Sequence, residues 1–141
     1  MNKMRQLIVI PARLSSWRFP NKPLTDLLSM PMFEHVYRRS ELVSNIDDIV
    51  LALCDKELYD LAVDKGMNAI MTSNEHKTAC ERVAEASQIM GYTSHDDIVI
   101  NVQADEPVVP PPVIEMTRDL LLSKNTNNCA NLVEHITDTN E

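Results

Sequence analysis

Four short apolar runs along the chain predict the buried strands of a sheet. They span residues 7–10, 49–53, 68–71 and 98–102, and the last of them is the clearest strand signal in the chain. Continuous apolar runs of this length, without strict alternation, are typical of strands that are covered on both faces. A further strand is predicted at 130–133.

Between these runs, apolar residues recur every three or four positions and predict amphipathic helices. One helix carries apolar residues from 33 to 43, and a second ends at Gly66, a residue that suits a helix end. A third ends near Gly91, and a fourth opens at the prolines 110–112, because proline is tolerated in a first turn.

Strands that alternate with helices predict an α/β fold, namely a doubly wound, mostly parallel sheet with helices on both faces. The length favours one domain over residues 1–141. In such sheets the ligands lie beyond the carboxyl ends of the strands. The loops that follow the first and the last of the four apolar runs are therefore the places to look for a site.

Composition narrows the class of protein and of partner. The net charge is −8, which disfavours binding to nucleic acid or to an anionic membrane surface. No apolar run reaches the roughly 18 residues of a membrane span and no secretory leader is evident, so a cytoplasmic protein is expected. The three cysteines, Cys54, Cys80 and Cys129, are widely spaced and are expected to be reduced, mostly buried thiols.

The loop after the first predicted strand concentrates positive charge. Arg13, Arg18 and Lys22 lie within ten residues, with the hydroxyls of Ser15 and Ser16 between them. Arginine presents a fork of donors to phosphate, and lysine adds a compact charge. An anion site and an ordinary solvated loop both remain open on this spacing. A glycine-rich phosphate loop is excluded, because the whole chain has only two glycines.

A second polar segment, residues 101–107, follows the strongest strand. Asp105 could hold Mg²⁺ there, because magnesium prefers carboxylate, water and phosphate oxygens. Asp105 and Glu106 point to opposite sides if the strand continues, so they are not expected to bind one ion equivalently. By itself an acidic pair before Pro107 is also common in turns.

Three segments together resemble a known family. In chain order they are Ile-Pro-Ala-Arg-x-Ser-Ser-x-Arg-x-Pro-x-Lys-Pro-Leu at 10–24, a segment at 71–85 with a histidine followed by a Glu-Arg pair, and Asn-Val-Gln-Ala-Asp-Glu-Pro at 101–107. In this order they resemble the amino-terminal part of CMP-Kdo synthetases (3-deoxy-manno-octulosonate cytidylyltransferases). The resemblance extends over nearly the whole chain and implies a fold like that of nucleotide-diphospho-sugar transferases.

The resemblance also implies an activity and a site. The sugar's anomeric hydroxyl would attack the α-phosphate of CTP and release pyrophosphate, a cytoplasmic step of lipopolysaccharide biosynthesis, with Mg²⁺ as cofactor, CTP and an acidic sugar as partners, and a possible homodimer. Lys22, Arg13 and Asp105 would be catalytic, and Asp105 would bind the metal. His76 and Gln103 would contact the sugar. The nucleotide would be bound by Ala12, Arg13, Ser15, Ser16, Arg18, Lys22, Thr72 and Gln103.

Departures from the family pattern leave an alternative open. The family commonly has glycine where this chain has Asn21, Ala79 and Ala104. Asparagine tolerates a left-handed backbone, whereas alanine does not tolerate it as well. Family members are also roughly twice as long, so the chain resembles a single nucleotide-binding domain without the family's carboxyl-terminal half. The alternative is therefore a truncated or degenerate nucleotide-binding module without catalytic activity.

Several residues carry two interpretations. His76 is either a sugar or nucleotide contact or a polar loop histidine. Glu81 and Arg82 either belong to the site or form a solvated helix face. Trp17 either stacks on a ring or fixes the basic loop to the sheet.

Overall fold

A computed structural model describes residues 4–123 and 129–131. In chain order its strands are β1 (Gln6–Ala12), β2 (Asp26–Leu27), β3 (Met30–Pro31), β4 (Asp48–Leu53), β5 (Ala69–Met71) and β6 (Ile98–Asn101). Four of them form a fully parallel sheet in the order β5-β4-β1-β6. The four predicted strands are confirmed, whereas the strand predicted at 130–133 extends beyond the described residues.

The four predicted helices are also confirmed, as α1 (Met32–Ser40), α2 (Lys56–Asp64), α3 (Ala79–Ile89) and α4 (Pro111–Leu122). The first helix ends at Ser40, three residues before the apolar pattern does. The following residues tighten into turns, in which the backbone N–H of Val43 donates to the carbonyl of Ser40. Val43 is still buried, so its apolar character reflects its packing and not the helix.

Helices cover both faces of the sheet, as predicted. One face carries the larger core, to which α1, α2 and α4 contribute, and the other carries a smaller core built with α3. Complete burial of a large apolar side chain such as Phe33 stabilises the fold by about 1.5–3 kcal/mol. The helical members of the larger core include Phe33, Val36, Tyr37, Leu58, Ala62 and Ile114, and those of the smaller core are Val83 and Ala86.

The order of the strands leaves a crevice at the carboxyl end of the sheet. The chain leaves β1 towards β4 and β5 and then returns to place β6 on the other side of β1. The loops after β1 and β6 therefore diverge at the carboxyl ends of adjacent strands, which is where parallel sheets bind ligands.

At the opposite end of the sheet, where the parallel strands begin, a group of polar side chains forms a clamp. The guanidinium of Arg5 pairs with Asp97 at 2.7 Å, donates to the carbonyl of Gly91 at 2.8 Å and lies 4.4 Å from the ring centroid of Tyr92. The Tyr92 hydroxyl donates to Asp48 at 2.6 Å. The hydrogen bonds from Arg5 lower the pKa of Asp97, and burial together with Asp48 raises the pKa of Tyr92. The clamp ties β1, β4 and the segment before β6 together.

A small hairpin between β1 and α1 has no counterpart in the sequence prediction. Strands β2 and β3 pair antiparallel around Leu28 and Ser29, both of which have positive φ, 56° and 67°. The N–H of Ser29 donates to the carboxylate of Asp26 at 2.7 Å. Two-residue turns of this hand favour asparagine and glycine, so the Leu-Ser pair gives no turn signal.

The three cysteines are free thiols, but the prediction that they are mostly buried was wrong. Cys54 is half-buried, while Cys80 and Cys129 are exposed. Cys80 lies in the first turn of α3, where the buried positions of the helix are Arg82, Val83 and Ala86. None of the helices within residues 4–123 is long and apolar enough to cross a membrane.

Candidate functional site

A cavity of about 580 Å³ lies at the carboxyl ends of the strands. Three segments form its wall: the loop after β1, the segment between β5 and α3 with the first turn of that helix, and the loop after β6. Among its described lining residues Asp105 is the only carboxylate. The cavity is therefore strongly basic, although the protein carries a net charge of −8. Its basic side chains are Arg13, Arg18, Lys22, Lys77 and Arg82.

The loop after β1 is folded back on itself by one backbone hydrogen bond and is tied to the segment after β4 by another hydrogen bond. The N–H of Asn21 donates to the carbonyl of Leu14 at 3.0 Å, and the N–H of Leu14 donates to the carboxylate of Asp55 at 2.8 Å. Asn21 has φ 58°, so the expectation that asparagine preserves a left-handed turn is confirmed. The fold-back brings Arg13 and Lys22 to the same cavity although nine positions separate them.

The predicted nucleotide-binding residues of this loop all reach the cavity. Ala12, Ser15, Ser16 and Arg18 line it beside the two predicted catalytic cations. The hydroxyl of Ser16 also accepts a hydrogen bond from the N–H of Phe19 at 3.3 Å, which closes a tight turn within the loop.

An ion pair joins the loop after β1 to the loop after β6. Lys22 Nζ lies 2.8 Å from Asp105 Oδ2, and the two side chains are 40% and 50% exposed. Two of the three residues that were predicted to be catalytic therefore touch in the structure. At this exposure the pair itself adds little stability, so it can open when a ligand offers better partners.

Gln103 lines the cavity next to Asp105. Its amide nitrogen donates to the side-chain oxygen of Asn101 at 2.9 Å, an assignment that rests on the hydrogen-bond network. Glu106 is not among the described lining residues, and that Asp105 and Glu106 do not bind one ion equivalently stays a prediction.

Thr72 and Arg82 form a buried pair beneath the cavity. Thr72 does not line the cavity; its hydroxyl donates to the carbonyl of Leu53 and accepts from Arg82 Nη1 at 2.6 Å. Arg82 is only 3% exposed and lines the cavity, so the interpretation of this arginine as part of a solvated helix face was wrong. The signal that could have found it is its position between Ala79 and Val83, on the apolar side of α3.

His76 also lines the cavity and is held by a carboxylate. Its Nε2 makes a hydrogen bond to Glu85, which in addition accepts the N–H of Ser73 at 2.9 Å. These two hydrogen bonds lower the pKa of Glu85, the N–H of Ser73 being the larger cause. His76 is thus oriented at the cavity edge, as a contact residue would need to be.

Glu81 caps the helix instead of entering the cavity. Its carboxylate accepts the N–H groups of Lys77 and Thr78, and the Thr78 hydroxyl accepts the N–H of Glu81 at 3.3 Å. The N–H of Lys77, and after it the N–H of Thr78 in this reciprocal capping box, lower the pKa of Glu81. It also fixes Lys77 and Thr78 at the cavity wall.

The two alanines that replace family glycines fit their backbone. Ala79 and Ala104 both line the cavity, and neither has positive φ. Alanine is therefore free of backbone strain at both positions.

Trp17 does not fix the basic loop to the sheet. Its side chain is 90% exposed, and Arg18 lies over its ring at 5.7 Å from the centroid. Of the two interpretations, only stacking on a ring is compatible with this exposure.

Comparison with known proteins identifies the family. The family model described as cytidylyltransferase matches residues 7–141. The chain is 41% identical over 131 residues to the 3-deoxy-manno-octulosonate cytidylyltransferase of Psychrobacter cryohalolentis, covering 93% of this chain and 48% of that protein. It is 39% identical over 134 residues to the enzyme of the same name from Francisella tularensis subsp. holarctica, covering 95% and 53%.

Solved structures agree with this result. CMP:2-keto-3-deoxy-manno-octonic acid synthetase, solved in complex with CTP, superposes with a TM-score of 0.79 at 34% identity, over 86% of this chain and 49% of that one. A 4-diphosphocytidyl-2C-methyl-D-erythritol synthase superposes with a TM-score of 0.66 over 86% of this chain and 56% of that one; at 16% identity this likeness shows the fold alone. The chain spans about half the length of the relatives it matches. It belongs to the cytidylyltransferase family and corresponds to the amino-terminal part of 3-deoxy-manno-octulosonate cytidylyltransferases.

Proposed function

We propose that this chain binds CTP in the basic cavity and takes part in the transfer of a cytidylyl group to an acidic sugar of the 3-deoxy-manno-octulosonate type. The observation that carries the proposal is that, among the described residues, five basic side chains meet a single carboxylate in the cavity at the carboxyl ends of β1 and β6. A triphosphate is the part of CTP that such a charge distribution suits. The choice of cytidine as the nucleoside and of this sugar class rests on the names of the relatives.

In the proposed reaction the anomeric oxygen of the sugar forms a bond to the α-phosphorus of CTP. The bond between the α-phosphorus and the bridging oxygen breaks, pyrophosphate leaves with that oxygen, and the hydroxyl proton passes to solvent or to a base. Negative charge grows on the phosphoryl oxygens during this step. Arg13, Arg18 and Lys22 stabilise that charge, because the folded-back loop holds them in place before the ligand binds.

We assign Mg²⁺ to Asp105. The carboxylate is half exposed at the cavity, and the residues that the structure describes contain no group of three or more histidine, cysteine, aspartate or glutamate side chains that could hold a metal by themselves. One protein carboxylate with phosphate and water oxygens fits the way Mg²⁺ is usually bound with a nucleotide. When bound, the ion would neutralise charge on the phosphate chain.

The remaining assignments rest on the family resemblance. They are a contact of His76 and Gln103 with the sugar, a place in lipopolysaccharide biosynthesis, a cytoplasmic location and a homodimer. The orientation of His76 by Glu85 and the position of Gln103 at the cavity support the first of these.

The proposal is tested by calorimetric titration of the chain with CTP, UTP and GTP in Mg²⁺, followed by measurement of pyrophosphate release on addition of 3-deoxy-manno-octulosonate. We expect tightest binding of CTP and a loss of roughly ten- to hundredfold in CTP affinity for Arg13→Gln. Lys56→Gln is the matched control, because Lys56 pairs with Asp60 on the exposed face of α2, outside the cavity. Equal affinity for the three nucleotides would contradict the assignment of CTP.

A non-catalytic nucleotide-binding module is the alternative. The relatives that the chain matches are named as cytidylyltransferases, which favours the enzyme over this alternative. CTP binding without pyrophosphate release would support the module, whereas release that Asp105→Ala abolishes would support the enzyme.

A further inference from the structure

Arg82 is a buried cation that no carboxylate contacts directly. It is 3% exposed, and both of its hydrogen bonds come from Nη1, to the Thr72 hydroxyl at 2.6 Å and to the carbonyl of Ser73 at 3.1 Å. Within residues 4–123 it forms no ion pair; besides these two oxygens it interacts with the half-buried Cys54 thiol, where its charge opposes the rise in pKa that burial causes. A buried charge without a counter-charge is costly.

Glu85 compensates the charge of Arg82 only in part. The charge of Arg82 is only a minor cause of the lowered pKa of Glu85, after the N–H of Ser73 and His76. The same oxygen of Glu85 accepts both of those hydrogen bonds. Neutral oxygens and a thiol do not balance the charge of Arg82, so an anion in the cavity that this side chain lines would supply the missing counter-charge.

Thr72 fixes the guanidinium relative to the sheet. Its hydroxyl accepts from Arg82 and donates to the carbonyl of Leu53, the last residue of β4, at 2.9 Å. Because Thr72 is itself buried, this chain of hydrogen bonds holds Arg82 in one orientation before any ligand arrives. A donor that is held in place in this way loses little entropy on binding.

We propose that Arg82 binds the phosphate chain of the ligand, with Thr72 as its positioning residue. Arg82 approaches the cavity from α3 and Lys77 from the segment just before that helix, so both are separate from the cations of the β1 loop. The first turn of α3 reaches the same wall through Thr78 and Ala79, and its positive dipole end favours an anion. A phosphate group brings the negative charge that this environment lacks, whereas a neutral base offers only hydrogen-bond acceptors. The inference rests on the proposed function only in naming the phosphate as that of a nucleotide.

The test separates the parts of the ligand by calorimetry. The chain is titrated with inorganic tripolyphosphate, cytidine and 3-deoxy-manno-octulosonate. We expect Arg82→Gln to weaken tripolyphosphate binding roughly ten- to hundredfold, and Thr72→Val roughly two- to tenfold. Affinity for cytidine should not change. Arg38→Gln is the matched control, because it removes one positive charge from the outside of α1.

Three results overturn the inference. They are tripolyphosphate affinity unchanged in both Arg82→Gln and Thr72→Val, a loss confined to cytidine or to the sugar acid, and no tripolyphosphate binding by the unsubstituted chain. Circular dichroism and thermal unfolding identify a variant that fails to fold, and Arg82→Lys, which keeps the charge, then replaces Arg82→Gln with an expected smaller loss. Failure of the proposed function gives a different pattern, in which tripolyphosphate binds and depends on Arg82 but CTP is not preferred over other nucleotides.

Discussion

Asparagine at position 105 is expected to strengthen the binding of phosphate without metal. In the ligand-free structure Asp105 holds Lys22 at 2.8 Å, so a phosphate that approaches without Mg²⁺ must displace the carboxylate from the lysine and also meets its negative charge. Asp105→Asn removes both obstacles and keeps the shape of the side chain. The same substitution should weaken binding when Mg²⁺ is present, because it removes the proposed metal ligand.

The geometry of the pair gives the magnitude. Side chains that are 40% and 50% exposed form an ion pair worth about 0.2–1 kcal/mol. Repulsion between a carboxylate and a phosphate charge about 4 Å away in water adds about 1 kcal/mol. Together they predict a gain of roughly seven- to thirtyfold in affinity for metal-free tripolyphosphate. Added salt should reduce this gain, because both contributions are exposed to solvent.

Calorimetry in EDTA and then in Mg²⁺ measures the two opposite effects on one variant. Asp60→Asn provides the matched control, because Asp60 forms a similar exposed pair with Lys56 at 2.7 Å but lies on α2. A metal-free affinity that falls in Asp105→Asn, or that rises equally in Asp60→Asn, would refute the reasoning. An unchanged affinity in Mg²⁺ would remove Asp105 as the proposed metal ligand.

Two further predictions concern stability. Leu28→Asn combined with Ser29→Gly should raise the free energy of unfolding by about 1–2 kcal/mol in urea denaturation, because both residues have positive φ in a two-residue turn; no gain would mean that the turn is not strained. Arg5 holds the pKa of Asp97 below its ordinary value of 3.8. The ionised Asp97 therefore stabilises the folded protein fully above that pH, and this stabilisation is lost as the pH falls through the lowered pKa. Urea denaturation of Asp97→Asn should therefore show a weaker fall in stability below pH 3.8 than the unsubstituted chain, and an identical fall would contradict this.

Much of the fold could be predicted because burial on both faces leaves a local trace. Strand β1 contains four consecutive residues without exposed surface, 7–10, and they are the first apolar run in the sequence. The hairpin of β2 and β3 leaves no such trace, since its strands have two residues each and its turn lacks asparagine and glycine. The premature end of α1 was missed because Val43 remains buried after the helix has ended.

The candidate site could be predicted only where its residues are close in sequence. Arg13, Arg18 and Lys22 were found because they cluster in one loop that follows a strand. Arg82 was given a solvated alternative, because a charged residue in a helix is usually exposed and its partner Thr72 lies ten positions away. The hydrogen bond between Thr72 and Arg82 forms because α3 packs against the end of β4. A local sequence pattern does not encode this packing.

The placement of charge follows from the placement of β1. This strand lies between β4 and β6 and is the most deeply buried part of the sheet, so the loop that leaves it has a rigid base. The chain has 13 basic and 21 acidic side chains, yet within residues 4–123 five basic side chains and one acidic side chain line the cavity. A field of this kind repels large polyanions from the molecule as a whole and still attracts a small anion to one place. If the proposed function is right, the acidic composition that disfavours nucleic acid is thereby compatible with binding of a free nucleotide, because the cations are kept at the strand ends where the topology places them.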